Sequence, residues 1–133
     1  MKKIFLSVIT IVIFACNNNT SFKKAEDAED AGREFIRASL DGNYDKARFY
    51  LYADSTNDFL FNRWKRDYDE LSGDEKSKYK NSDIVVLNIN RENDSVSTFK
   101  YFNSYKKDTT IVKILRIKNE WLVDLKEFMK IHK

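Results

Sequence analysis

The apolar residues change their period once along this chain, from 3.6 before Asn81 to 2 after it. That one switch admits few architectures: helices come first and an antiparallel meander follows. Residues 24–40 predict an amphipathic helix, with Ala28, Gly32, Phe35, Ile36 and Ser39 on one face. Glu26, Asp27, Glu29 and Asp30 crowd its start, and Arg33 and Arg37 come later, which suits the helix dipole. Gly42 ends it and Asn43 caps a second helix over 44–52. A third begins at Asp54 or Ser55, with Leu60, Trp64, Tyr68 and Leu71 as its stripe and Phe61 beside it. Ser72-Gly73-Asp74-Glu75 fits a capping box that opens a fourth, short helix to about Tyr79.

Four strands follow, over 84–89, 96–105, 109–117 and 121–125. The first puts Val85, Leu87 and Ile89 on one side. The second puts Phe99, Tyr101 and Tyr105 on one face and Val96, Thr98 and Phe102 on the other. The third groups Ile111, Leu115 and Ile117. Turns fall at Glu92-Asn93-Asp94, Lys106-Lys107-Asp108 and Lys118-Asn119-Glu120, where Asn119 tolerates positive φ. Residues 126–133 either extend the last strand or fray. The expected fold is α+β, with N-terminal helices packed on one face of a curved four-stranded antiparallel sheet.

The start of the chain has a different character. Lys2 and Lys3 precede an uncharged apolar run of 12 residues, 4–15, which ends at Cys16. Such a run suits an export signal and is short for a membrane-spanning helix, which needs about 20 residues. Ile13-Phe14-Ala15-Cys16 resembles the bacterial lipobox in the loose form of Bacteroidota lipoproteins, where Asn-rich stretches such as Asn17-Asn18-Asn19 are common. The resemblance implies cleavage before Cys16, diacylglycerol on its sulfur and a membrane-lipid anchor. It also explains the lone cysteine of an exported chain. With Asn17 after the cysteine, the implied address is the outer membrane, facing the periplasm. Residues 1–15 are then signal, 16–23 a polar tether and 24–133 one domain.

Removing the signal leaves 118 of the 133 residues and a formal charge of +1 instead of +3. That length supports a single core. Aromatics at 14%, with no proline and 3 glycines, argue against disorder. Charges of both signs are interspersed without a basic face, so nucleic acid is not an expected partner.

Two segments carry a further resemblance. Asp41-Gly42-Asn43-Tyr44-Asp45-Lys46-Ala47 is similar to the "DGDYEKA" element of small exported proteins with the nuclear transport factor 2-like fold. Residues 112–124, with Trp121 in the tryptophan position, resemble their closing hairpin. Within that fold, the uncharacterised lumazine-binding-like group is the nearest in kind. The resemblance implies a cystatin-like cone of sheet, its mouth partly closed by the helices, and homodimers are common among such proteins.

Chemistry is sparse. His132 is the only histidine and sits one residue from the end, so a histidine metal cluster or a Ser-His-Asp triad has nothing to build on. Asp124 is the candidate acid–base residue of an isomerase- or cyclase-like enzyme. It shares strand parity with Leu122 and Lys126, which predicts an outer, solvated face. No phosphate loop, carboxylate metal loop or nucleophile elbow is present, so no cofactor, metal or catalytic residue is assigned. The aromatic side chains read either as core or as a pocket lining for a small apolar ligand; Trp64, Tyr68, Phe99 and Tyr101 are the candidates for such a lining. The expectation is a tethered, non-enzymatic module that binds a ligand or an envelope protein. An acid–base enzyme and a purely structural envelope protein are the alternatives.

Overall fold

A computed structural model of the chain describes residues 21–128. Residues 1–15, expected as a signal, and Cys16 and His132 lie outside the described residues. Four helices, α1 (Ala28–Leu40), α2 (Tyr44–Phe49), α3 (Ser55–Asp69) and α4 (Gly73–Lys80), precede four strands, β1 (Ile84–Asn93), β2 (Val96–Asn103), β3 (Thr110–Ile117) and β4 (Glu120–Asp124). The strands form one antiparallel sheet in the order β1-β2-β3-β4. A single 3₁₀ turn over Leu125–Glu127 follows β4. The α+β architecture expected from the period switch is the one observed.

α1 starts at Ala28 rather than at Lys24, because Asp27 is extended and its carboxylate accepts from Asp30 N–H at 2.8 Å. Its end is a Schellman motif. Asn43 N–H donates to Ala38 O at 2.8 Å and Gly42 N–H to Ser39 O at 3.2 Å, with Gly42 at φ +72. The capping box of α4 is present at Ser72 and Glu75.

α1 lies across all four strands. Phe35, Ile36 and Ala31 meet Phe99, Val112, Ile114 and Val123 in a core from which solvent is excluded. At Gly32 the approach is tight: a Cβ there would stand 2.9 Å from the Phe99 ring. The core faces of β2 and β3 are therefore Ser97, Phe99 and Tyr101, and Val112 and Ile114. Ile111, Leu115 and Ile117 share the opposite, half-buried face.

Three local expectations are corrected. The second helix stops at Phe49, because residues 50–52 run as a parallel bridge along β4. Val123 N–H donates to Tyr50 O at 2.7 Å and Tyr52 N–H to Val123 O at 2.9 Å, which covers the sheet edge. In β1, Val85 and Leu87 do not share the inward face with Ile89. The pairing shifts between Val86 and Asn88, a β-bulge that reverses the parity, so Ile84, Val86 and Ile89 pack inward while Val85 and Leu87 are exposed. Finally, Phe22 and Lys23, expected in the tether, lie against the domain. The Phe22 ring sits 5.7 Å from Phe49, and Tyr50 donates its hydroxyl to Lys23 O at 2.6 Å.

Among the described residues no helix is long and apolar enough to cross a membrane. The β3–β4 turn has positive φ at both Lys118 and Asn119, the pattern of a type I′ hairpin. Glu120 is already the first residue of β4.

Candidate functional site: an aromatic cavity between α3 and the sheet

A cavity of about 560 Å³ opens between α3, the end of α1 and the β2–β3 side of the sheet. That volume lies in the range of small-molecule sites. Its floor is apolar and buried: Leu40, Leu60, Tyr101 and Leu125. Trp64, Tyr68, Leu71, Tyr79 and Phe128 make its half-buried walls. Arg63, Asp67, Lys106 and Asp108 stand exposed at its mouth.

Each wall is held by a local cause. α3 starts where the Asp54 carboxylate accepts from Asn57 N–H at 2.7 Å, and the 3.6 period then brings Leu60, Trp64 and Tyr68 onto one side. The Trp64 ring meets Phe35 edge-on at 5.7 Å and stacks on Phe128 at 5.0 Å with 26° between planes. Gly42 lets Tyr68 approach the end of α1, where a Cβ would come within 3.1 Å of its ring and hydroxyl. Arg37 ties α4 to α1 by donating to Ser82 O at 2.8 Å and Lys80 O at 2.9 Å, which seats Tyr79 beside the opening. The fully buried Asn57 accepts from Leu125 N–H at 2.8 Å and so fixes the segment that carries Leu125 and Phe128.

Burial pushes the Tyr101 phenol well up, only partly offset by a hydrogen bond with Thr110, and burial also raises Tyr68 and Tyr79. All three are neutral phenols at physiological pH, able to donate or accept but carrying no charge.

Of the four aromatic side chains expected in a lining, Trp64, Tyr68 and Tyr101 come together here. Phe99 does not. It is fully buried, packed against Tyr101 at 5.6 Å on one side and under α1 on the other, because Gly32 leaves room for it there. Asp124 is absent from the lining as well, and it is buried rather than solvated as its strand parity suggested. The strand ends at this residue: its carboxylate accepts from Lys126 N–H at 3.1 Å, caps the 3₁₀ turn and stands 3.7 Å from the Lys126 ammonium, which also binds Asp54 at 2.6 Å. The acids that do reach the cavity, Asp67 and Asp108, are both at its exposed mouth. Among the described residues no group of three or more histidine, cysteine or acidic side chains could hold a metal ion.

Several lining residues went unread in the sequence. Arg63 and Asp67 flank the Leu60-Trp64-Leu71 stripe at helical spacing, so a wider stripe includes them. Asn103 ends β2, Thr110 begins β3, and Lys106 and Asp108 lie on the turn between them; only the sheet register brings the four opposite α3. Asn57 looks like an ordinary polar helix residue, and its burial has no sequence signal.

No protein-family model and no curated protein matches the chain. It is similar to a solved structure, an NTF-2 like protein of unknown function from Shewanella oneidensis MR-1. The two are 12% identical, the match covers 71% of this chain and 89% of that chain, and the TM-score is 0.49.

Proposed function

We propose that this chain is a lipid-anchored, non-enzymatic binding module of the cell envelope, which holds a small apolar or aromatic ligand between α3 and the sheet. The observation that carries the reading is the cavity of about 560 Å³, with an apolar floor and aromatic walls. Burying a ligand's apolar surface there supplies affinity at roughly 25 cal/mol per Å² before the costs of association. Neutral hydroxyls of Tyr68, Tyr79 and Tyr101 supply orientation. The acids of the lining stand in solvent at the mouth, and Asp124 is held by Lys126 away from it, which supports binding over acid–base catalysis.

The anchor part of the reading rests on the lipobox-like Ile13-Phe14-Ala15-Cys16 and the apolar run before it. Two acyl chains hold a protein on a membrane where one does not.

Each part has its own test. Trp64 lines the cavity and Trp121, the other of the two tryptophans, does not. A Trp121→Phe chain therefore reports on the cavity through Trp64 emission. Apolar and aromatic probes are expected to shift that emission saturably. Emission unchanged by every probe contradicts the binding reading, and turnover of a small molecule that is lost in Asp124→Asn contradicts the non-enzymatic one. For the anchor, Cys16→Ser is expected to move the protein from the membrane to the soluble fraction, and globomycin to leave the precursor uncut. A membrane-bound Cys16→Ser chain contradicts it.

A further inference from the structure

The mouth of the cavity carries four charged side chains without charged partners. Arg63 and Asp67 lie on α3, and Lys106 and Asp108 on the turn between β2 and β3. Among the described residues, none of these four side chains is in an ion pair or a side-chain hydrogen bond; Lys106 only overlies the Tyr105 ring at 5.2 Å. Elsewhere the chain closes some pairs of this kind and leaves Arg66–Glu70 open. Arg37–Asp41 and Lys65–Asp69 have the same order and spacing as Arg63–Asp67, and both are formed, the second on the same helix. The helix geometry allows the bond, and at the cavity mouth it is not made.

Below the mouth the surroundings are apolar. A charged group carried to the Leu60 and Leu125 floor would be stripped of water with no counter-charge to meet it. Any charge on a ligand therefore stays at the rim. The rim holds two cations and two carboxylates. A lone anion there gains Arg63 and Lys106 but is repelled by Asp67 and Asp108, and a lone cation meets the reverse. A ligand with one charge of each sign satisfies both sets.

We propose that the cavity takes a zwitterionic amphiphile, with its apolar body against the aromatic walls and an ammonium and a phosphate or carboxylate at the mouth. The anionic group meets Arg63 and Lys106, and the ammonium meets Asp67 and Asp108. This rests on the cavity being the binding site proposed above. A single-chain phosphoethanolamine lipid and a free aromatic amino acid share this chemistry.

The test uses the processed full chain with Trp121→Phe, held in lipid nanodiscs, and Trp64 emission as the signal. The probes are lauroyl lysophosphatidylethanolamine, laurate, dodecylamine, glycerol monolaurate and L-phenylalanine. Each affinity is referred to the probe's free concentration outside the disc, so uptake by the disc enters neither the comparison of probes nor that of variants. Lysophosphatidylethanolamine or phenylalanine is expected to bind more tightly than laurate, dodecylamine or the neutral monolaurin, and which of the two wins identifies the source. Arg63→Glu and Lys106→Glu are expected to weaken the zwitterion about tenfold each, the scale of one charge-assisted hydrogen bond, and to favour dodecylamine. Asp67→Lys and Asp108→Lys are expected to weaken it likewise and to favour laurate. If the probes bind regardless of head group, or the four variants change nothing, the zwitterion is wrong and the apolar cavity stands. If no probe moves Trp64 emission, both proposals fall.

Discussion

Gly32 and Gly73 separate two uses of the same residue. Gly32 is where α1 meets the sheet, and a methyl group there must displace the Phe99 ring. Gly32→Ala is expected to cost about 1–3 kcal/mol, the scale of overpacking a core. Gly73 opens α4, and a methyl group added there would meet nothing within 4 Å, so Gly73→Ala is expected to stabilise by roughly 0.5–1 kcal/mol. Urea unfolding of the two variants checks both signs. Asp54 adds a pH dependence. The Asn57 backbone N–H, and then the Lys126 ammonium, hold its carboxyl below the usual carboxylate range. A carboxyl whose value is lowered by folding stabilises the fold above the unfolded value, about pH 4, and that contribution disappears as pH falls through the folded value. Asp54→Asn keeps a cap but not the charge, so its stability is expected to fall less steeply with acid than that of the parent. Equal acid limbs for parent and variant count against the Asp54–Lys126 account.

Elements show which parts of the structure were legible in the sequence. The caps Asn43, Asp54 and Ser72 are chemically explicit, and each forms the bond its type implies. The Phe99 and Tyr101 alternation of β2 also reads directly, because the strand is regular and one face is buried. β1 does not read directly, since a bulge breaks the period that the reading relies on. Leu87 belongs to the exposed side only because the register slips beside it. Leu87→Ser is therefore expected to change stability by less than about 0.5 kcal/mol, while Val86→Ser costs clearly more by denaturant midpoint. The reverse order would mean that the strand is in unbroken register. The end of α2 was hidden for another reason. Residues 50–52 leave the helix to cover the edge of β4, a long-range pairing that no local pattern in Tyr50, Leu51 and Tyr52 announces. Half of the cavity was hidden in the same way: its α3 wall follows from a helical stripe, but its opposite wall depends on which turn the meander brings across.

In the whole molecule, the two ends of α1 serve different roles. Its start lies by Lys24 and Ala25, near the Phe22–Phe49 contact where the chain leads back toward Cys16, and Ser39 and Leu40 at its end line the cavity. Thirteen helical residues span about 20 Å, so α1 separates the end that leads to the proposed anchor from the end at the cavity. Ligand affinity is accordingly expected to be the same for the anchored chain and for Cys16→Ser, as read from Trp64 emission. The central claim is that the space under Trp64 and Phe128 holds a ligand, and native mass spectrometry of the chain isolated from its own cells tests it most directly. Leu71 lines that space, and Leu71→Trp fills it with a larger ring. The account predicts a small-molecule adduct on the parent chain that is lost from a folded Leu71→Trp chain. An adduct that persists after the space is filled, or a parent chain that carries none and takes up none of the apolar probes, contradicts it.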